Sequence, residues 1–384
     1  MFGWELMKKK EFRLLVAGGG TGGHITPGLA VIESLRKRPI HLRLLWVGVT
    51  NRQEADIVPR YNIPLQCMSL KGLNRSIAPR AVYQNSKSAI NWLLLRPIMK
   101  SIKIIKDFEP DFILGTGGYV CAPIIVAGWL LGKPRWLLEQ NSVPGLTVRM
   151  LSRFVDTVGI AYDSSRDLLP NSANIQLVGN PVMSKTLSMT REDGMEKFKL
   201  DPNKRTLLVI GGSLGSAALN NAVWELLSSF YDKSFMNQWQ IIHSIGKGKY
   251  KNMDVTFQKF ERYKPYPFLY EPEYAMAAAD LVLCRAGAMT LAEITAKGLT
   301  SIIVPWPGAV RNHQYTNAQA MVSSGAAMMI TEDSLGGYSL AETLKKLTNS
   351  KDKLDHMSQQ SQAIGHPGAA DNLADKILGS VSDD

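Results

Sequence analysis

Arg13-Leu14-Leu15-Val16-Ala17-Gly18-Gly19-Gly20-Thr21-Gly22-Gly23-His24 begins as an apolar run of strand character and passes at once into a glycine-rich turn. Residues 25–35 then read as a helix, with Pro27 tolerated in its first turn. Glycines at such a turn allow the backbone to approach a bulky anion, and the helix start aims N–H groups and a positive dipole end at it. A related unit recurs at Arg205-Thr206-Leu207-Leu208-Val209-Ile210-Gly211-Gly212-Ser213-Leu214-Gly215-Ser216. Two strand–glycine loop–helix openings in one chain imply two similar α/β halves with a ligand between them.

Working outward, 384 residues with 45% hydrophobic and 20% charged content are enough for two domains, each with its own core. The three cysteines, Cys67, Cys121 and Cys284, are scattered and odd in number, which gives neither a disulfide framework nor a zinc spacing and points to a reducing cytoplasm. Lys8, Lys9 and Lys10 precede Leu14 as in a signal peptide, but the apolar part runs into glycines and reads as the first strand. The longest apolar run, residues 122–132, falls far short of the roughly twenty residues needed to span a bilayer. A net charge of +11 favours an acidic partner: nucleic acid, an anionic membrane surface or a phosphorylated substrate.

Strand-like runs alternate with helical ones along the chain. Expected strands lie at 13–17, 42–47, 112–114, 136–138, 157–160 and 176–178 in the first half, which closes at Gly179-Asn180-Pro181-Val182. Residues 184–203 read as a hinge and an entering helix. Strands at 206–210, 239–244, 266–269, 280–284, 301–304 and 327–330 follow, with helices at 288–297 and 314–323 and an amphipathic one at 369–381. This alternation predicts parallel sheets covered by helices.

Residues 57–106 contain no Asp or Glu, while Arg60, Lys71, Arg75, Arg80, Lys87, Arg96, Lys100, Lys103 and Lys106 accumulate. Trp92-Leu93-Leu94-Leu95 puts apolar residues on all sides of a helix, and Ile98, Met99, Ile102 and Ile105 form a stripe beyond Pro97. The segment reads either as a sheet-packing helix with a solvated basic edge or as a membrane-docking surface. Nucleic acid is disfavoured, because the basic residues are threaded with aliphatic rather than base-stacking side chains.

Gly18-x-Gly20-x-x-Gly23 satisfies the dinucleotide fingerprint, but the next strand ends near Val47-Gly48-Val49-Thr50 without the carboxylate that would hold a ribose. His24 at the helix start is a candidate general base. Gly211-x-Ser213-x-Gly215 also satisfies a nucleophile-elbow pattern, for which Asp280 and His313 would complete a triad. The first glycine loop lacks a serine, however, and phosphate or sugar cradling accounts for both loops. In Arg285-Ala286-Gly287-Ala288-Met289-Thr290-Leu291-Ala292-Glu293 a helix start follows a strand. Glu293 there either accepts from ribose hydroxyls or simply pairs with Lys297 at i+4. No Asp-x-Asp occurs, so helix starts rather than a metal would neutralise a leaving diphosphate.

Several segments together resemble, over nearly the whole chain, the MurG family of bacterial cell-wall N-acetylglucosaminyltransferases. They are Gly19-Gly20-Thr21-Gly22-Gly23-His24-Ile25-Thr26-Pro27-Gly28-Leu29-Ala30, Gly117-Gly118-Tyr119-Val120, Glu139-Gln140-Asn141, Gly179-Asn180-Pro181-Val182, Gly211-Gly212-Ser213, Cys284-Arg285-Ala286-Gly287-Ala288-Met289-Thr290 and His313-Gln314. The resemblance implies a GT-B fold of two Rossmann-like domains with a cleft between them. Residues 1–182 would form the acceptor and membrane-docking domain and 183–367 the UDP-GlcNAc domain, with helix 368–384 packing back on the first. It implies inverting, metal-independent transfer of GlcNAc from UDP-GlcNAc to the C4 hydroxyl of MurNAc in undecaprenyl-diphosphoryl-MurNAc-pentapeptide (lipid I), without a cofactor.

Position by position, Thr21, Gly22, Gly23 and Asn141 would meet the GlcNAc or the reacting centre. Ser213, Leu269, Ala288, Met289, Thr290, Leu291, Ala292, Glu293 and Gln314 would hold UDP, with Glu293 on the ribose. His24, Tyr119 and Glu139 are the catalytic candidates. The basic, apolar region 71–106 would dock on the cytoplasmic face of the inner membrane, with cell-wall synthesis and division proteins as partners and no nucleic acid. The chain departs from the family at Met183, Leu214 and Leu138, where Arg, Gln and His are usual, and Lys185 is the nearby cation that could replace the Arg. The alternatives are a transferase of the same fold for another lipid or aglycone acceptor, or a non-catalytic UDP-sugar-binding homologue.

Overall fold

The computed structural model describes residues 11–70, 87–212, 214–231, 233 and 236–382, the side chains of 87–94, 252, 258, 348, 351 and 382 excepted. The chain divides into two compact units, Met1–Pro181 with Gly368–Asp384, and Val182–Pro367.

The first unit is built on a seven-stranded, wholly parallel sheet. Its strands are β1 (Glu11–Gly18), β2 (His41–Val49), β3 (Leu65–Met68), β4 (Phe112–Gly117), β5 (Arg135–Glu139), β6 (Thr157–Ile160) and β7 (Ile175–Leu177), in the spatial order β3-β2-β1-β4-β5-β6-β7. Leu14 pairs with Leu44 on one side and Phe112 on the other. Leu14, Leu15, Val16 and Ala17 are fully buried, as a strand covered on both faces requires, hence the unbroken apolar run in the sequence. The closing helix Ala369–Ser382 packs on helix Gly22–Arg36 by burying Leu373, Ala374 and Ile377. Ser34 Oγ donates to Asp371 at 2.5 Å and Arg38 Nε to Asp375 at 2.7 Å across this contact.

The second unit repeats the plan with β8 (Arg205–Ile210), β9 (Trp239–Ser244), β10 (Tyr263–Tyr266), β11 (Leu281–Cys284), β12 (Thr300–Ile303) and β13 (Ala327–Met329), ordered β10-β9-β8-β11-β12-β13. In both sheets the chain lays three strands to one side and then crosses back to place the fourth beside the first. That reversal opens a crevice at the carboxyl ends of β1/β4 and of β8/β11, where such sheets bind ligands. Two Rossmann-like parallel sheets are the architecture expected from the sequence.

Three local expectations are corrected. The edge strand β3 was not anticipated, because Leu65-Gln66-Cys67-Met68 is short and lacks β-branched residues. The strand expected at 266–269 lies at Tyr263–Tyr266, since Pro265 is tolerated on β10, which pairs only with β9. On helix Lys87–Phe108 the buried face is Ser101, Ile104 and Ile105, whereas Met99, placed in the apolar stripe, is 66% exposed. Ser101 suits a buried helix face here because its hydroxyl donates back to Pro97 O at 2.8 Å.

Candidate active site

In the first unit, the turns after β1, β4 and β5 carry the candidate residues. Thr21 is the N-cap of helix Gly22–Arg36 and is extended, with no side-chain cap, so the first-turn amides of Gly22 and Gly23 are not covered by it. The turn before it is braced from within the protein. The fully buried carboxylate of Glu54 accepts from Gly20 N at 2.8 Å and Val49 N at 2.9 Å. A Cβ at Gly19 would lie 2.2 Å from Glu54 Oε1, and one at Gly18 only 1.8 Å from Thr116 Oγ1. Glu54 fills the space beside Gly19 and ties Gly20 to Val49 at the end of β2.

His24 sits over the end of β4. Gly117 has φ +113°, and a Cβ there would lie 2.3 Å from His24 Nδ1; only glycine lets the ring settle there. Thr116 Oγ1 donates to His24 O at 2.6 Å. Gln140 donates from Nε2 to Thr116 O at 2.8 Å, which turns its Oε1 toward His24 Nδ1, 3.3 Å away. With an acceptor facing Nδ1, that nitrogen carries the proton, and the basic lone pair lies on Nε2. Asn180 Nδ2 in turn donates to Gln140 O at 3.0 Å. Gln140, Thr116, Asn180 and Glu54 were not singled out individually from the sequence. Gln140 stands inside the Glu139-Gln140-Asn141 segment, but Glu54 is 34 residues from Gly20 and gives no local signal.

Glu139 does not resemble a poised base. Its buried carboxylate accepts from Asn141 N at 2.9 Å, Asn141 Nδ2 at 3.1 Å and Gly145 N at 2.7 Å, bracing the loop after β5. Tyr119 is half-buried against the apolar core of this unit. The structure thus brings His24 together with Gln140 and gives Glu139 to the loop that presents Asn141.

In the second unit, Gly211 and Gly212 follow β8, and Ser213 lies outside the described residues. Leu214 is 77% exposed at the tip of the turn, and Lys249 Nζ donates to its carbonyl at 2.7 Å. Beside it, Gly287 caps helix Ala288–Ala296 without a side-chain cap, and the helix carries no acid in its first turn. Ala288, Met289 and Leu291 turn buried side chains into the core, so any role in holding a ligand falls to their backbone, while Thr290, Ala292 and Glu293 are half-buried. Removal from water, with the Glu273 charge adding to it, pushes the Glu293 carboxyl up to about 7. Lys297 donates to Met189 O at 2.7 Å and makes no ion pair with Glu293, which disposes of the i+4 reading. Leu269 is buried in the loop after β10, and Gln314 accepts from Trp306 N at 3.0 Å.

Two alternatives raised by the sequence find no support. Asp280 precedes β11 and is held by Arg191 at 3.1 Å and Thr206 N at 2.7 Å, at the opposite end of the parallel sheet from the turn after β8. His313 Nδ1 lies 2.7 Å from Val310 O. A nucleophile–His–Asp triad therefore cannot assemble here. Lys185 does not take the place of an Arg at Met183, because Glu273 at 2.6 Å, Glu271 at 3.0 Å and the Tyr274 ring engage its ammonium. Among the described residues, no three His, Cys, Asp or Glu side chains group as metal ligands, and no helix is long and apolar enough to cross a membrane.

Residues 14–160 match the glycosyltransferase family 28 N-terminal domain and residues 206–373 its C-terminal domain. A protein of Desulforamulus reducens named UDP-N-acetylglucosamine–N-acetylmuramyl-(pentapeptide) pyrophosphoryl-undecaprenol N-acetylglucosamine transferase is 38% identical over 376 residues, covering 95% of this chain and 99% of its own. A namesake from Halalkalibacterium halodurans is 36% identical over 364 residues, covering 94% and 97%. The crystal structure of Acinetobacter baumannii MurG superposes with a TM-score of 0.73 at 26% identity, covering 96% of this chain and 99% of that one. With both half-domains matched in order and relatives of such identity along almost the full length, the chain belongs to glycosyltransferase family 28 and, within it, to the MurG family of N-acetylglucosamine transferases.

Proposed function

We propose that this protein transfers GlcNAc from UDP-GlcNAc to the C4 hydroxyl of MurNAc in undecaprenyl-diphosphoryl-MurNAc-pentapeptide, with inversion at the anomeric carbon. The observation that carries this reading is the near full-length match to curated relatives all named for that transfer. The C4 oxygen attacks C1 of the donor sugar, the bond from C1 to the diphosphate oxygen breaks, and UDP departs. His24 Nε2 accepts the hydroxyl proton, a role favoured by the tautomer that Gln140 imposes. The uncapped start of helix Ala288–Ala296 faces the charge that develops on the leaving diphosphate, and Glu293 accepts from the ribose hydroxyls. Backbone dipoles would then do without a metal.

The lipid-linked acceptor calls for docking at the cytoplasmic face of the inner membrane, with cell-wall synthesis and division proteins as neighbours. Exposed Leu95 and Met99 lie among exposed Arg96, Lys100 and Lys103, and Trp129 and Leu130 are exposed on the adjoining helix Cys121–Leu130. This combination suits an anionic lipid surface. Residues 71–86 and the Trp92 side chain, part of the same expected patch, lie outside the described residues.

The test is GlcNAc transfer from labelled UDP-GlcNAc to a short-chain lipid I analogue in EDTA. Transfer by the wild type, largely lost in His24→Ala, supports the metal-free reading and its base. UDP binding by folded protein without any transfer to this acceptor overturns it in favour of another acceptor or a binding protein.

A further inference from the structure

Beneath the glycine turn of the second unit lies a buried polar chain that the transfer chemistry leaves unexplained. Trp224 Nε1 donates to Tyr263 Oη at 3.2 Å, and Tyr263 Oη lies 2.8 Å from His243 Nδ1. His243 Nε2 is 3.0 Å from Asn220 Oδ1, and Asn220 Nδ2 donates to Ile245 O at 3.1 Å. His243 is wholly buried, and Asn220 and Tyr263 nearly so. The directions fit one pattern. Because Asn220 gives its amide protons to Ile245, its oxygen must receive the Nε2 proton of His243, and Nδ1 then accepts from the tyrosine. Burial drives the imidazole pKa down to about 3, so the ring stays neutral as this pattern requires.

The chain ends on a carbonyl that touches the ligand turn. Gly215 has φ +68°, and a Cβ there would lie 1.9 Å from Ile245 O. Gly246 has φ +104°, and a Cβ there would lie 2.6 Å from Leu214 O. The turn after β8 and the turn after β9 are thus pressed backbone to backbone, and where Ile245 O is fixed decides where Leu214 and Gly215 run. Asn220 reaches it from the helix Ala217–Phe230, which that same turn enters.

We propose that His243 is a positioning residue for nucleoside diphosphate binding, acting through Asn220 and the Ile245 carbonyl to hold the chain at Leu214 and Gly215. This rests on reading the second unit as the half that binds the donor.

The experiment titrates UDP calorimetrically into the full chain and three variants. In His243→Gln the amide nitrogen stands where imidazole Nε2 stood, so the bond to Asn220 survives. In His243→Asn the shorter amide reaches only toward Tyr263, and that bond is lost. Tyr263→Phe cuts the far end of the chain and leaves the Asn220–Ile245 arm intact. The expected result is UDP binding weakened by about tenfold in His243→Asn, the order that one lost buried hydrogen bond gives. His243→Gln and Tyr263→Phe stay within about twofold of wild type, even where their melting temperatures fall. Asn220→Ser removes the same arm from the helix side and stands in if His243→Asn does not fold. Equal affinity in all proteins, or equal loss in both His243 variants, overturns the positioning role while wild-type binding of UDP leaves the functional reading standing. A folded wild type that binds no UDP overturns both.

Discussion

Gln140 faces His24 with its oxygen, 3.3 Å from Nδ1, because its amide nitrogen is committed to Thr116 O. A rotated amide would lose that bond and present N–H to N–H, so the strand end at β4 dictates which imidazole nitrogen is basic. Gln140→Leu removes the orienting acceptor without touching the second unit. It is expected to lower kcat by about tenfold to a hundredfold, a part of the ~10²–10⁴ that a general base contributes, and to leave the KM for UDP-GlcNAc unchanged. Steady-state kinetics with the donor varied checks this.

Glu139 braces the loop after β5, which leaves His24 as the proposed proton acceptor. Its two oxygens accept from Asn141 N, Asn141 Nδ2 and Gly145 N, and an amide in its place would turn a donor toward Gly145 N or Asn141 N. Glu139→Gln is therefore expected to cost about 1–3 kcal/mol of stability in this loop, seen as a lower melting temperature. The acidic limb of its pH–rate profile is expected to coincide with that of the wild type. A limb that disappears in Glu139→Gln and survives in His24→Ala would reverse the two roles.

The fold, and where in it the candidate residues fall, are legible in the sequence because their signals are local. Buried strands such as β1 and β8 advertise themselves as apolar runs that lead into glycine, and both glycine turns are written in consecutive residues. What the sequence could not disclose depends on distant partners. Glu54 reads as a surface residue of a short helix until β2 and the first glycine turn fold around it. Glu139 reads as an acid in a suggestive triplet, and only the path of the chain to Gly145 turns it into a brace. The apolar stripe of Ile98, Met99, Ile102 and Ile105 does not say which of its members face the sheet, and the buried serine at 101 sets a contact face that leaves Met99 exposed.

Membrane attachment is open to a direct assay. Leu95 and Met99 are exposed, so polar replacements there cost the fold little, while each would forfeit ~1.5–3 kcal/mol of burial in lipid. The double variant Leu95→Gln/Met99→Gln is expected to bind anionic vesicles at least about tenfold more weakly than wild type in a sedimentation assay. Added salt weakens wild-type binding by screening the basic residues. Transfer to a water-soluble acceptor is expected to be unchanged. Undiminished binding by the variant would remove this face from the docking surface.

Glu293 links stability to pH. Its carboxyl is raised from the ordinary glutamate value of about 4.5 to about 7, by burial first and the Glu273 charge second. Between those values the folded state holds a proton that the unfolded chain has released, so the contribution of Glu293 to stability falls as pH rises through this window and is flat on either side. Replacement by an uncharged isostere, Glu293→Gln, removes this dependence. The stability gain of the variant over wild type, read from the paired melts, is expected to be small at pH 4.5, to grow through pH 7 and to level off above it, reaching at most about 3 kcal/mol. Binding moves the other way, since an amide offers the ribose hydroxyls one acceptor where the carboxylate offers two, so the same variant is expected to bind UDP more weakly at pH 8. Thermal melts from pH 4.5 to 8.5, paired with UDP titration at the upper end, measure both. A variant no more stable than wild type at pH 8 would mean that Glu293 is well solvated and carries an ordinary carboxylate.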